Sequence, residues 1–311
     1  MQKVSLLRFS GFALIAMPTL ALAGGAAALF APSAARGQLV YNKACVACHG
    51  ENGDGNGPGA APLNPKPRDF TGGLYKYRST PIGELPTDAD LLKVVNDGIA
   101  HSQMPAWSNA LSDQERLDVV AYIKSFCPSF KDAKTPDTLV VPDPPSSTPA
   151  LVQEGRKVYM AQQCWSCHGA QGQGNGPASK ILIDNWGNPI KPANFTWAKY
   201  KRGNDPASIY KTFSTGLNGT PMPSFAGTFL FGGDREIDAP TFAAFPAVEI
   251  KQLQEYFKSQ PTEAELNAMP ADKKNEIELR RKWALVYYIR SLIKKPNVVQ
   301  WLFTEDMELT R

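Results

Sequence analysis

Residues 41–58 read YNKACVACHGENGDGNGP, and residues 162–177 read QQCWSCHGAQGQGNGP. From the first cysteine to the proline the two stretches align without a gap, so one unit is written twice. The repetition extends outward. KPRDF (residues 66–70) answers KPANF (191–195), DLLKVVNDGIAHSQMPAW (90–107) answers SIYKTFSTGLNGTPMPSF (208–225), and ERLDVVAYIKSF (115–126) answers RKWALVYYIRSL (281–292). Two copies are too few for a solenoid and indicate a duplicated domain.

The closing segments carry helical apolar spacing. Leu117, Val120, Ala121 and Lys124 share one face with Val119 and Ile123 beside it, and Ser112 stands as N-cap. Trp283, Val286, Tyr287 and Arg290 repeat that layout. Leu91–Asp97 and Ile209–Ser214 read as short helices ended by Gly98 and Gly216. No segment alternates as a strand does, so the predicted fold is all-α. Pro128–Ala150, rich in proline and serine, reads as an extended, semi-rigid linker. The copies differ late: Met104 lies 18 residues before Tyr122, whereas Met222 lies 66 before Tyr288. The 48 additional residues include an amphipathic helix candidate, Val248–Gln260. Lys273, Lys274, Arg280, Arg281, Lys282, Arg290, Lys294 and Lys295 cluster there, read as a solvated helix face or as a docking face for an acidic partner.

Cys45, Cys48 and His49 stand at i, i+3 and i+4, so on a helical turn their side chains share a face. Two thiols so placed can add to the two vinyl groups of one haem while the histidine reaches its iron, the c-type attachment signature. Cys164, Cys167 and His168 repeat it. A tetrahedral zinc site, a thioredoxin-like pair and a plain disulfide are the competing readings. Zinc is poorly served by adjacent ligands on one turn. A redox pair expects a preceding strand, and a disulfide leaves two of the chain's three histidines unexplained. Met104 follows His49 by 55 residues and Met222 follows His168 by 54, each opening Met-Pro-small-aromatic (MPAW, MPSF). That matched placement points to thioether ligation of iron, although methionine is ordinarily core filler. Each histidine's second ring nitrogen needs an acceptor, expected in the following loop at the carbonyl of Pro58 or Pro177. The GxGNGP runs let backbone approach the macrocycle or simply form surface turns. Candidate donors to haem propionates are Tyr75, Tyr77 and Arg78, then Trp197, Tyr200 and Arg202. Trp107 and Phe225 are candidates to pack on haem edges. His101 reads as a surface histidine and Cys127 as a partly buried free thiol.

The 311 residues are 43% hydrophobic and 20% charged, a globular composition with room for about two domains. Net charge is +3 over residues 1–36, −2 over 37–130, −1 over 131–150 and +4 over 151–311, too modest for nucleic-acid binding. Lys3 and Arg8 precede an uncharged apolar run from about Phe12 to Ala31, an export signal or an uncleaved membrane anchor. Either places the remainder outside the cytoplasm.

These haem-binding and methionine motifs resemble those of dihaem class I cytochromes c, proteins of two tandem mono-haem domains. The match spans about residues 37–130 and 151–225 and resumes at 281–295, and the insertion at about 226–280 departs from it. The resemblance implies an export signal or anchor at 1–36, a first cytochrome c domain at 37–130, a linker at 131–150, and a second domain at 151–311. It implies two covalently bound haem c groups and single-electron transfer between redox protein partners, with no small-molecule substrate. A fixed subunit of a larger complex, such as a haem–copper oxidase or molybdenum oxidoreductase, is the alternative. A dihaem peroxidase is opposed by two methionine ligands.

Overall fold

A computed structural model describes residues 30–134 and 137–294. Its helices are α1 (Ala34–Ala44), α2 (Val46–His49), α3 (Asp88–Asp97) and α4 (Asp113–Ser125) in the first repeat. The second has α5 (Pro149–Ala161), α6 (Trp165–His168), α7 (Pro206–Thr215), α8 (Ala247–Lys258), α9 (Glu263–Ala268) and α10 (Ala271–Ser291). Among the described residues there is no strand, and the sole extended pairing is an isolated bridge between Ile183 and Pro189. Local chemistry sets the boundaries. Thr87 with Asp90 and Ser112 with Glu115 close capping boxes on α3 and α4. Gly98 and Gly216, at φ 66° and 65°, end α3 and α7 in a backbone region that a side chain disfavours.

Each repeat is built on one crossing of its first helix with its last, α1 on α4 and α5 on α10. Glycine makes both crossings possible. A Cβ on Gly37 would stand 1.9 Å from the carbonyl oxygen of Asp118, and one on Gly155 would stand 2.0 Å from that of Ala284. Backbone thus lies directly on backbone. The buried stripe of α4 runs through Arg116, Val119, Val120 and Ile123, part of a turn away from the Leu117–Lys124 face predicted. Partner geometry decides this: the crossing at Gly37 draws Asp118 inward, where its carboxylate pairs with Arg36 at 2.7 Å.

The insertion is core rather than appendage. Phe229, Phe231, Phe242, Phe245, Leu253 and Phe257 are buried in one cluster with Val158, Tyr159, Trp165 and Trp283. The final helix is longer than its repeat partner because it starts inside the insertion. Two members of the predicted cationic face are consequently buried. Arg281 is 1% exposed and donates to Phe229 O at 2.7 Å, Phe231 O at 3.2 Å and Gln260 Oε1 at 3.0 Å. Lys282 pairs with Glu278 at 2.5 Å. Arg280 meets Glu154 and Lys273 meets Glu276. Lys295 lies outside the described residues. The segment is therefore neither a uniformly solvated face nor an unbroken basic one.

The linker is fastened to both repeats: Leu139 N donates to Ser79 O at 2.7 Å, and Tyr287 Oη donates to Pro145 O. The export or anchor reading falls mostly on residues 1–29, outside the described residues. Among those described, no helix is long and apolar enough to cross a membrane.

Candidate functional site

In both repeats the first helix runs into a single turn that carries Cys-x-x-Cys-His, α2 after α1 and α6 after α5. His49 N bonds Cys45 O, and His168 N bonds Cys164 O, each at 2.9 Å. Tyrosine locks the turn from behind: Tyr41 Oη donates to Gly50 O at 2.7 Å and Tyr159 Oη to Gly169 O at 2.6 Å. The glycine-rich loop then doubles back and donates to the turn's open carbonyls. Gly55 N reaches His49 O at 2.9 Å and Gly57 N reaches Cys48 O at 3.2 Å; Gly174 N and Gly176 N do the same to His168 O and Cys167 O.

That loop is therefore occupied as a donor, and the histidine acceptors predicted at Pro58 and Pro177 lie elsewhere. His49 Nδ1 is 3.0 Å from Arg68 O and His168 Nδ1 is 2.9 Å from Ala193 O. Both acceptors are the third residue of the Lys-Pro-x-x-Phe repeat. A carbonyl only accepts, so Nδ1 carries the proton and Nε2 presents its lone pair. Burial lowers the pKa of both imidazoles, outweighing the opposing hydrogen bond, and keeps them neutral. The fifth residue of the same repeat supplies a ring: Phe70 stacks on His49 at 4.6 Å and 20°, Phe195 on His168 at 4.3 Å and 17°. The glycines admit this segment. A Cβ on Gly55 would stand 2.8 Å from Pro67 O, and one on Gly174 would stand 2.8 Å from Pro192 O.

Burial, with Cys48 nearby, pushes the Cys45 thiol up to about 11; burial pushes that of Cys164 up to about 12. Such thiols are the reverse of an activated redox pair. Cys45, Cys48, Cys164 and Cys167 are unpaired with one another, as is the buried Cys127. Among the described residues no three His, Cys, Asp or Glu side chains converge on one metal position, as a zinc site of this kind would require.

The methionines occupy matched loops behind α3 and α7. Ile99 N donates to Met104 O at 3.0 Å and Leu217 N to Met222 O at 3.1 Å. Met104 N takes Ser102 Oγ and Met222 N takes Thr220 Oγ1, both at 3.2 Å. Trp107 N and Phe225 N then return to Val95 O and Phe213 O at 3.0 and 2.9 Å. Both methionine side chains are partly buried, as are Trp107 and Phe225, which lie against the two cores.

The predicted propionate donors divide. Arg78 is fully buried and donates to Pro81 O, Thr215 O and Gly216 O. Tyr200 Oη donates to Phe195 O and Ile289 O. Trp197 is 43% exposed and lies tilted against His101, with ring centroids 4.2 Å apart, and His101 Nε2 is 2.9 Å from Lys199 O. Tyr77 is partly buried. Tyr75 Oη and Arg202 Nη1, by contrast, are buried without a hydrogen-bond partner. Around them the chain assembles cations where the repeats meet. Burial, then Arg68 and Lys201, hold Lys76 down at about 8, and burial with Arg202 brings Arg78 to about 10. Burial lowers Arg68, Lys201 and Arg202 as well. Such a seam of desolvated cations and orphaned donors suits carboxylates.

A family model for cytochrome c matches residues 34–126 and 152–260, ending short of α10. The cbb3-type cytochrome c oxidase subunit FixP of Sinorhizobium medicae is 30% identical over 147 residues, which cover 47% of this chain and 42% of that subunit. The chain thus spans less than half the length of that relative. Among solved structures, a chain of the Kuenenia stuttgartiensis reducing HAO-like protein complex superposes with a TM-score of 0.67 at 33% identity. That match covers 86% of this chain and all of the other.

Proposed function

The chain belongs to the cytochrome c family, and on that premise we propose that it carries two haem c groups and passes single electrons between redox protein partners. Cys45 and Cys48 hold one group through thioethers, and Cys164 and Cys167 hold the other. His49 with Met104, and His168 with Met222, would hold the two irons. The observation that carries this reading is the paired fixation of His49 and His168: each donates Nδ1–H to a carbonyl and lies against a phenylalanine, leaving Nε2 free to ligate. The donor set fits, because the four propionates of two such groups would satisfy the buried cations and the orphaned Tyr75 Oη and Arg202 Nη1.

When bound, the group supplies a one-electron couple, which thioether ligation shifts toward higher potential. The protein's part is positional. Tyr41 and Tyr159 hold the attachment turns, Arg68 and Ala193 fix the imidazole planes, and the methionine loops bring up soft sulfur. With a histidine and a methionine as its ligands, each iron would have no position open to a substrate, which favours an electron carrier over a peroxidase. A second version, the same machinery as a fixed subunit of a larger oxidoreductase, is favoured by likeness to a cbb3 oxidase subunit and to a chain of the HAO-like complex. An N-terminal export signal or anchor would place it outside the cytoplasm.

Replacing Met104 or Met222 singly by leucine tests the ligand set. Each change removes about half of the far-red sulfur-to-iron charge-transfer absorption of the oxidised protein. A variant that keeps the full band refutes that methionine's role.

A further inference from the structure

Between GNGP and Lys-Pro the second repeat runs 13 residues, Ala178–Ile190, where the first has 7, Gly59–Pro65. The longer loop carries Trp186, which the haem sites themselves do not use. Its ring faces the Arg68 guanidinium of the first repeat, with Cζ 4.4 Å from the ring centroid, and its Nε1 donates to Asp69 Oδ2 at 3.0 Å. Arg68 is the residue whose carbonyl accepts the hydrogen bond from His49 Nδ1–H.

The outer edge of the ring, beside the same guanidinium, meets Gly219. A Cβ there would fall 2.7 Å from Trp186 Cζ3 and 2.8 Å from Cη2, and 3.5 Å from Arg68 Nη1. Asn185 N, next to the tryptophan, donates to Gly219 O at 3.1 Å. Gly219, at φ 77°, sits in the turn that delivers Met222: Leu217 N holds Met222 O, and Thr220 Oγ1 donates to Leu217 O at 2.8 Å while receiving Met222 N. The same turn is gripped by the first repeat at Asn218, whose Oδ1 accepts Gly83 N at 3.2 Å.

We infer that Trp186 is a positioning residue that clamps the support of His49 in one repeat to the turn bearing Met222 in the other, so that the two redox sites share one brace. This rests on the ligand assignment proposed above. The ring is held by a cation on one face, a carboxylate at its nitrogen and a close-packed backbone turn at its outer edge, so displacing it releases three contacts at once. Gly219 suits its position twice over, because the turn needs a positive φ and the indole leaves no room for a Cβ.

The test uses the full haem-loaded chain. Spectroelectrochemical titration gives the two midpoints, assigned to their sites by comparison with Met104→Leu and Met222→Leu, and the far-red band is read alongside. Trp186→Ala shifts the midpoints of both sites, each by at least about threefold in its equilibrium constant, about 28 mV at about 59 mV per tenfold for one electron. It also weakens the Met222 share of the band. Trp186→Phe, which keeps a ring over Arg68, recovers at least half of each shift. Should the alanine variant not fold by far-ultraviolet dichroism, Trp186→Leu, which lacks the π face, is read against the same expectation. A folded variant whose two midpoints and band match the parent, or in which one site alone moves, overturns the clamp. If Met222→Leu leaves the band whole, the ligand assignment is what fails; if it removes half while Trp186→Ala changes nothing, the clamp alone fails.

Discussion

Replacing Gly155 by alanine adds one methyl group where α5 lies on α10. The new Cβ would stand 2.0 Å from Ala284 O, 2.6 Å from Ala284 C and 2.7 Å from Tyr288 Cβ. Two of those are backbone atoms and cannot swing aside, so the helices must part by about 1.3 Å to restore a carbon–oxygen separation of about 3.3 Å. A gap of about 1 Å forfeits up to about half of each dispersion contact across the seam, where Tyr159 and Tyr288 now sit 5.3 Å apart. Overpacking of this kind costs about 3 kcal/mol, while exchanging glycine for alanine inside a helix returns about 1 kcal/mol. The net expectation is a loss of about 2 kcal/mol, opposite in sign to helix propensity alone. Urea unfolding of the haem-loaded protein, with the midpoint compared at unchanged slope, measures it. Gly72→Ala is the control, since nothing lies within 4 Å of its added methyl. If Gly155→Ala proves neutral or stabilising, the backbone-on-backbone crossing is wrong.

Asp118 yields a pH prediction. Burial alone would raise its pKa, but hydrogen bonds from Arg36, Ser33 and Gln114 outweigh that and hold it below 3.8. Its stabilisation is complete above the unfolded carboxylate value of about 3.9 and is lost as pH falls through the lower folded one. Asp118→Asn should lower the urea midpoint at pH 7 and flatten that acid limb; an unchanged acid limb contradicts the clamp on α1. Tyr159→Phe removes the hydroxyl that binds Gly169 O and should cost about 1 kcal/mol, read in the same assay, with Tyr41→Phe matching it in the first repeat. Arg281→Leu strands the carbonyls of Phe229 and Phe231 and should cost about 3 kcal/mol; a cost below about 1 kcal/mol would make that arginine incidental.

What could be read in advance was whatever the repeat wrote twice at fixed spacing. Cys-x-x-Cys-His dictates its own single helical turn, and the methionine offset survives because each loop follows an equivalent glycine-terminated helix, α3 or α7. The Lys-Pro-x-x-Phe repeat was visible, yet its roles as acceptor carbonyl and stacking ring were not, because a backbone oxygen leaves no side-chain signature. An acceptor at Pro58 or Pro177 requires a loop that accepts, and the loop donates instead. Arg78, Trp186 and Arg281 depend on contacts to Thr215, Gly219 and Phe229, which lie 137, 33 and 52 residues away along the chain, beyond any local pattern. The insertion departs from the pattern of the family and offers no repeat to read it against, yet its phenylalanines close the core of the second repeat.

Whether the chain holds two covalently bound haem groups is read from the mass of the intact, acid-extracted polypeptide. The extracted material should stay red and weigh the polypeptide plus two haem groups, falling to one group when Cys45 and Cys48, or Cys164 and Cys167, are replaced together. Colour that leaves with the solvent, or a parent mass carrying fewer than two groups, would contradict it.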